Sequence, residues 1–276
     1  MADRVSDILI SLKPGRTAYA DCPNCGYKDA LAITRTAERV LYHCHAGCPQ
    51  DELWRVVQNQ EPPVATAGEI RRIGCGTARS YILALWDESL SAAGTVVERY
   101  LRHRGFTGPI PASLRYLPNH PHKPGGASWP VMLAAVSDCE GRFQAIHRTY
   151  LAVNGVGKAS VQPAKMTLGA VGGFACHLGA AEAEIVVSEG IETGLSVQLA
   201  TGIPTWAALS AGGVRNLILP PLPEARLVTI AADADEVGIR SAQIAATRWK
   251  GEGRQVRIIA PKRPGADFND VFRATP

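Results

Sequence analysis

In the last third of the chain, short apolar runs alternate with helical stretches. Ile185-Val-Val187, Thr205-Trp-Ala-Ala208, Leu227-Val-Thr-Ile-Ala231 and Val256-Arg-Ile-Ile259 read as strands, while residues 191–200 and 237–249 read as helices. A strand, a helix and a further strand of this kind form a crossover unit that returns the chain to its sheet in parallel, and near-continuous apolar runs suit strands covered on both faces. The fold class expected is therefore α/β, with a mostly parallel, Rossmann-like sheet over residues 181–276.

The acids of that third fall just past strand ends. Glu189 follows Ile185-Val-Val187-Ser188, and Asp233 and Asp235 follow Leu227–Ala231. A third group, Asp267-Phe-Asn-Asp270, follows the last strand. The crevice of an open α/β sheet lies at this carboxyl edge. Asp233 and Asp235 are two residues apart and point to one side in extended chain. Two like charges ~4 Å apart cost about 4 kcal/mol at an effective dielectric of ~20, and Mg²⁺ or Mn²⁺ is the usual compensation. The plainer reading is helix capping, by Asp233 or Asp235 for the helix after them and by Asp267 or Asp270 for the last one. Capping explains single acids better than it explains three groups together.

Near the N-terminus, Cys22-Pro-Asn-Cys25 and Cys44-His-Ala-Gly-Cys48 have the spacing of a zinc ribbon, two knuckles joined by a hairpin. Four thiolates leave no open position, so the Zn²⁺ would be structural. The preferred ligands are Cys22, Cys25, Cys44 and Cys48, although His43 or His45 could replace one thiolate. Lys28, Arg35 and Arg39 on the ribbon could meet phosphates or simply face solvent. Cys75, Cys139 and Cys176 read as small buried hydrophobes.

Residues 1–60 form the expected zinc-binding domain, and the Pro/Gly/Ala-rich 61–70 a linker. Residues 71–180 form an α+β middle region: a helix over 78–104, loop over 107–130, and strands at 131–136 and 143–151 joined by a hairpin at Asp138-Cys-Glu-Gly141, with the glycine-rich 169–179 ending the region. The net charge of +4 is concentrated here, since residues 61–179 carry a basic excess and residues 180–276 are slightly acidic. A basic region beside an acidic one suits a polyanion held next to a divalent cation. No apolar run approaches the ~18 residues of a spanning helix, and Asp3, Arg4 and Asp7 do not suit a secretory signal. A cytoplasmic protein without membrane association is expected.

Ser188-Glu189-Gly190 followed by Asp233-x-Asp235-x-x-Gly238 resembles the Toprim domain of DnaG-like primases, type IA and II topoisomerases, OLD-type nucleases and RecR-like proteins. The cysteine-rich N-terminus resembles the zinc-binding domain of bacterial, phage and plasmid primases. Gln144-Ala-Ile-His-Arg-Thr-Tyr-Leu151, Ala164-Lys-Met-Thr-Leu-Gly169 and Glu189-Gly-Ile-Glu-Thr193 are similar to stretches of primase-like proteins of phages and mobile elements. The resemblance implies a DNA primase, a nucleotidyltransferase making short primers on single-stranded DNA from NTPs or dNTPs.

By the same resemblance, Glu189 would be a metal ligand or the base near the attacking 3′-hydroxyl. Asp233 and Asp235 would bind the catalytic Mg²⁺ or Mn²⁺, and Asp267 and Asp270 further metal near the triphosphate. Arg148 and Lys165, with Arg142 and Arg102, would contact nucleotide or template, as would Arg99 and Arg104. DnaG-like primases often carry Asp four residues after the glutamate, where this chain has Thr193; Glu192 could serve instead. Gly155-Val-Gly-Lys158-Ala159 lacks the full phosphate loop of a motor, so the chain would use a replicative helicase in trans, or none. Two alternatives stand beside the primase: a Toprim nuclease or topoisomerase-like enzyme, and a catalytically silent DNA-binding replication accessory protein.

Overall fold

The structure is a computed structural model that describes residues 11–13, 15–36, 40–44, 48, 50–58 and 75–274, together with Val5 and Ile8. The linker expected at 61–70, and also Arg39 and His45, lie outside the described residues. The chain divides into two compact units, residues 1–71 with 210–212, and residues 72–209 with 213–276.

The first unit carries an antiparallel sheet of β1 (Arg16–Ala20), β2 (Leu31–Arg35) and β3 (Val40–Cys44), in that order, followed by α1 (Gln50–Gln58). β-branched residues favour the strands, and the hydroxyls of Thr17 and Thr34 meet across β1 and β2 at 2.9 Å. The core is small. Leu31, Ile33, Tyr42 and Leu53 bury their side chains with Cys22 and Cys44.

The second unit holds two five-stranded sheets. The first is an antiparallel meander of β4 (Leu90–Ser91), β5 (Leu114–Pro121), β6 (Ser128–Ser137), β7 (Phe143–Tyr150) and β8 (Lys165–Gly169), with α2 (Cys75–Glu88) and α3 (Val96–His103) before it in the chain or interleaved with its first strands. The β6–β7 hairpin turns at Asp138–Gly141, as its residues predict. The helix expected over 78–104 is two helices. Thr95 caps α3, its hydroxyl accepting from the Val97 N–H at 3.2 Å, while Glu98 accepts from the Gly94 N–H at 2.6 Å. This box starts a new helix, the earlier one having ended at Glu88 before the short strand β4. The loop expected over 107–130 contains β5, whose register shifts between Leu117 and His120. That irregularity accommodates Pro118 in a strand.

Alternate residues of the meander face two cores. Val131, Leu133, Ile146 and Tyr150 pack with Ile82 and Leu85 of α2. Met132 and Ala134 pack with Val97, Tyr100 and Leu101 of α3, and with Ile191 and Leu195 of a helix from the C-terminal third.

The second sheet is formed by β9 (Cys176–His177), β10 (Glu184–Ser188), β11 (Thr205–Ala207), β12 (Leu227–Ala231) and β13 (Gln255–Ile259), in the order β13-β12-β10-β11-β9. All pairs are parallel except β11 with β9. The segment expected to end the middle region thus supplies an edge strand here. α4 (Ile191–Thr201) and α7 (Phe268–Ala274) pack on one face, where Val186, Val197 and Ala231 meet Phe268. α5 (Ala211–Asn216) and α6 (Glu236–Gly251) follow β11 and β12; Ala242, Ala245, Ala246 and Trp249 of α6 cover Ile185, Val187, Val228 and Ile230 on the other face. This is the α/β domain that the alternating pattern predicts. Among the described residues no helix is long and apolar enough to cross a membrane.

Candidate active site

The register of the parallel sheet assembles the acids. Ser188 pairs with Ala231, so Glu189 and Ala232–Asp233 leave neighbouring strands at the same edge. Ala231 pairs with Ile259, and the chain beyond β13 folds back over this edge. There the Ala234 N–H donates to the Ala266 carbonyl at 2.9 Å, and the Gly265 N–H to the Ala234 carbonyl at 2.7 Å. Asp267 is thereby set beside Asp233.

Asp235 and Asp267 are also helix caps. The Gly238 N–H donates to Asp235 Oδ1 at 2.7 Å, and the Asp270 N–H to Asp267 Oδ1 at 2.8 Å. Capping fixes these carboxylates without removing their charge. A Cβ on Gly238 would lie 2.7 Å from the Asp233 carbonyl oxygen, which gives the glycine of Asp233-x-Asp235-x-x-Gly238 its reason: the first turn of α6 lies against the Asp233 backbone.

Asp233 is the inner member of the set. Its Oδ1 is buried and has no hydrogen-bond partner. Partial burial pushes its carboxyl up to about 6, reinforced by Asp267, Asp235 and Asp270 and opposed by Lys165. A buried carboxylate oxygen without a partner, in the field of three more carboxylates, is the kind of donor a hard divalent cation satisfies; among the described residues, however, only the four cysteines bring three or more ligand atoms within 4.8 Å of one another, so the acids would have to draw closer to hold Mg²⁺ or Mn²⁺. The raised group favours its protonated form in the fold, so ionisation costs stability above about pH 6 and nothing below about pH 4. Asp233→Asn is therefore expected to raise the Tm of chelator-treated protein at pH 7, with the gain shrinking to zero as pH falls to 4. A gain independent of pH would remove the charge argument.

The basic candidates separate. Lys165 pairs with Thr149 and Arg148 with Met166 across β7 and β8, so the two point to opposite faces of the meander. Lys165 lies on the acidic side, its Nζ donating to Glu192 Oε2 at 3.2 Å. Arg148 is buried on the far face, where its Nη1 lies 3.3 Å from His120 Nε2. Arg142 sits exposed at the hairpin turn, paired with Asp138 and Glu140. Arg102 bonds Glu98 and the carbonyls of Phe106 and Gly108. With Arg99 and His103 it lines an open groove between α3 and residues 154–156. Arg104 lies 3.9 Å from Asp267.

Three participants were not singled out as site residues by sequence reasoning. Lys158, quoted only as part of a failed phosphate loop, acts electrostatically on both Lys165 and Glu192. Tyr100 donates its hydroxyl to Glu192 at 2.6 Å. Asn269 donates to the Arg104 carbonyl at 2.6 Å and to Ser196 Oγ at 3.0 Å, tying α7 to α3 and α4. Only Asn269 had a sequence signal, its place inside Asp267-Phe-Asn-Asp270. Glu192, expected as a substitute metal ligand, instead has both oxygens engaged by protein donors.

In the first unit the sulfurs of Cys22, Cys25, Cys44 and Cys48 lie within 4.8 Å of one another. Cys22 to Cys48 and Cys25 to Cys44 are each 3.7 Å apart. Tetrahedral Zn–S bonds of about 2.3 Å require sulfurs about 3.8 Å apart, so the quartet fits Zn²⁺. The thiols perturb one another: hydrogen bonding from Cys44 holds Cys22 down, while Cys44 is held up by Cys22, and burial holds Cys25 up. His43 neighbours Cys44 on β3 and is exposed, its side chain on the opposite face of the strand. Cys176 is fully buried as expected, and Cys139 partly so; the Cys75 side chain lies outside the described residues.

Residues 184–276 match the model of the Toprim domain, and residues 77–178 match that of a domain of unknown function, DUF7146. No curated protein sequence matches the chain. Solved structures similar to it include a DNA primase domain from Pseudomonas aeruginosa, at 16% identity, covering 72% of this chain and 75% of that one, with a TM-score of 0.44. The Aquifex aeolicus primase with its zinc binding and RNA polymerase domains is 12% identical, covering 98% of this chain and 80% of that one, with a TM-score of 0.46. The primase fragment of the bacteriophage T7 primase-helicase protein is 14% identical, covering 92% and 93%, with a TM-score of 0.37.

Proposed function

We propose, from the premise that residues 184–276 are a Toprim domain preceded by a four-cysteine module that fits zinc, that the chain is a DNA primase joining nucleotides on a single-stranded template. The observation that carries this reading is the buried, unpartnered Oδ1 of Asp233 amid Asp235, Asp267 and Asp270, with cationic Lys165 at its side.

In primer synthesis the 3′-hydroxyl oxygen of one nucleotide bonds to the α-phosphorus of the next. The bond from that phosphorus to pyrophosphate breaks, and the hydroxyl proton leaves to a base. Glu189, at the open end of β10, is the group assigned to that hydroxyl. Asp233 and Asp235 would hold one Mg²⁺ or Mn²⁺, and Asp267 and Asp270 a further one. A bound ion supplies the positive charge that makes the hydroxyl more acidic and offsets charge on the phosphates. Lys165 contributes a fixed cation for the nucleotide. The template is assigned to Arg148, Arg142 and Arg102, with the zinc module reading the start site. The template would be DNA of a phage, plasmid or other mobile element, opened by a helicase acting in trans.

The test is incubation with single-stranded DNA, labelled NTPs or dNTPs, and Mg²⁺ or Mn²⁺. Short labelled oligomers support the primase. Cleaved template without oligomers would indicate the nuclease, and template binding with neither product the accessory protein. The opposed faces of Lys165 and Arg148 give a second expectation. Lys165→Ala should raise the nucleotide KM, whereas Arg148→Ala should weaken template binding with its salt slope unchanged, because a buried guanidinium supports the template surface without meeting a phosphate. Effects of both on one parameter would contradict the separation.

A further inference from the structure

Glu192 occupies the first turn of α4, three residues after Glu189, yet it is 5% exposed. Tyr100 Oη donates to its Oε1 at 2.6 Å and Lys165 Nζ to its Oε2 at 3.2 Å. Burial alone would raise its carboxyl; Lys165, Lys158 and the Tyr100 hydroxyl outweigh burial and hold it well below the usual range. The carboxylate is thus ionised and already coordinated by the protein.

Lys158 lies on the loop that follows β7, within the field of Glu192. A bridge between Leu151 and Lys158 folds its loop back on the end of β7. Its ammonium is close enough to Lys165 for the two to repel, and Arg104 adds to the same field. One carboxylate cannot neutralise two ammonium groups, and Arg104 is shared with Asp267. The acids of the adjoining pocket also draw on Lys165, which acts on Asp233; once a divalent cation engaged those acids, the two ammonium groups would be left to meet other anions. Paired ammonium groups next to a divalent-cation site are complementary to a chain of phosphates.

We propose that Glu192 is a positioning residue: it gathers Lys165 and Lys158 into a seat for the triphosphate of the incoming nucleotide, and it does not ligate the catalytic metal. The nucleotide in this proposal rests on the primase reading; the phosphate seat does not.

The test uses the full chain with Glu192→Gln and Lys158→Gln, singly and together. Lys158 is on an exposed loop, so its replacement leaves the fold intact even if the buried Glu192 change does not. Each variant is expected to raise the nucleotide KM about tenfold with kcat changed less than about threefold, and the double variant to be no worse than the weaker single, as for groups that act as a unit. Mn²⁺ affinity without nucleotide should match wild type. Weakened Mn²⁺ binding in Glu192→Gln, an unchanged KM in Lys158→Gln, or additive losses would each overturn the proposal. Calorimetric titration with inorganic triphosphate separates the two claims. If the wild type binds it, Lys158→Gln loses it and no primers form, the seat stands and the primase reading falls. If primers form while wild type and Lys158→Gln bind triphosphate equally, or the wild type binds none, the seat falls and the primase reading stands.

Discussion

Replacing Asp233 and Asp235 together by asparagine is expected to abolish primer synthesis while leaving the C-terminal domain folded. Charge neutralisation at a phosphoryl-transfer centre supplies several kcal/mol, so the loss should reach about 10³-fold or more. Asparagine is the informative choice because Asp235 has two jobs. It caps α6 through the Gly238 N–H, and Asn caps as well as Asp does. Asp235→Asn should therefore lose activity at nearly unchanged stability. Asp235→Ala should lose activity and about 1 kcal/mol as well. Measured by primer yield and thermal unfolding in parallel, this pair separates the chemical role from the capping role. Activity retained in the double variant would remove the acidic pocket from the mechanism.

Cys22→Ser or Cys48→Ser is expected to release the zinc and unfold the N-terminal unit. The described core there consists of a few side chains, two of which are the thiols of Cys22 and Cys44. A core of that size cannot sustain a fold alone, whereas four-thiolate zinc binding contributes about 10–16 kcal/mol. Elemental analysis should fall from about one zinc per chain to a small fraction of that. Limited proteolysis should then cut within residues 1–58 and spare residues 75–274, which carry their own cores. Unchanged zinc content in either variant would refute ligation by all four thiolates.

What could be read from the residues follows the range of the interactions involved. The strands and helices of the C-terminal third are local patterns of apolar spacing, and all four strands and both helices stand where the pattern puts them. The cysteine quartet is legible because zinc coordination dictates ligand type and spacing. The break in the helix over 78–104 was legible too, since Thr95 and Glu98 spell a capping box; the apolar residues on both sides masked it.

The partners of Glu192 were not legible. Tyr100, Lys158 and Lys165 come from α3, a loop and β8, and meet Glu192 only because the antiparallel meander packs against α4. The opposite orientations of Lys165 and Arg148 likewise depend on register, because one residue of slip would exchange the faces. The sequence by itself determined the element types of the C-terminal domain, the cysteine quartet that fits zinc and the strand-end position of each acid, since these depend on local periodicity and short-range chemistry. Only the tertiary structure decided which charges share a pocket, because that depends on strand pairing between segments tens of residues apart.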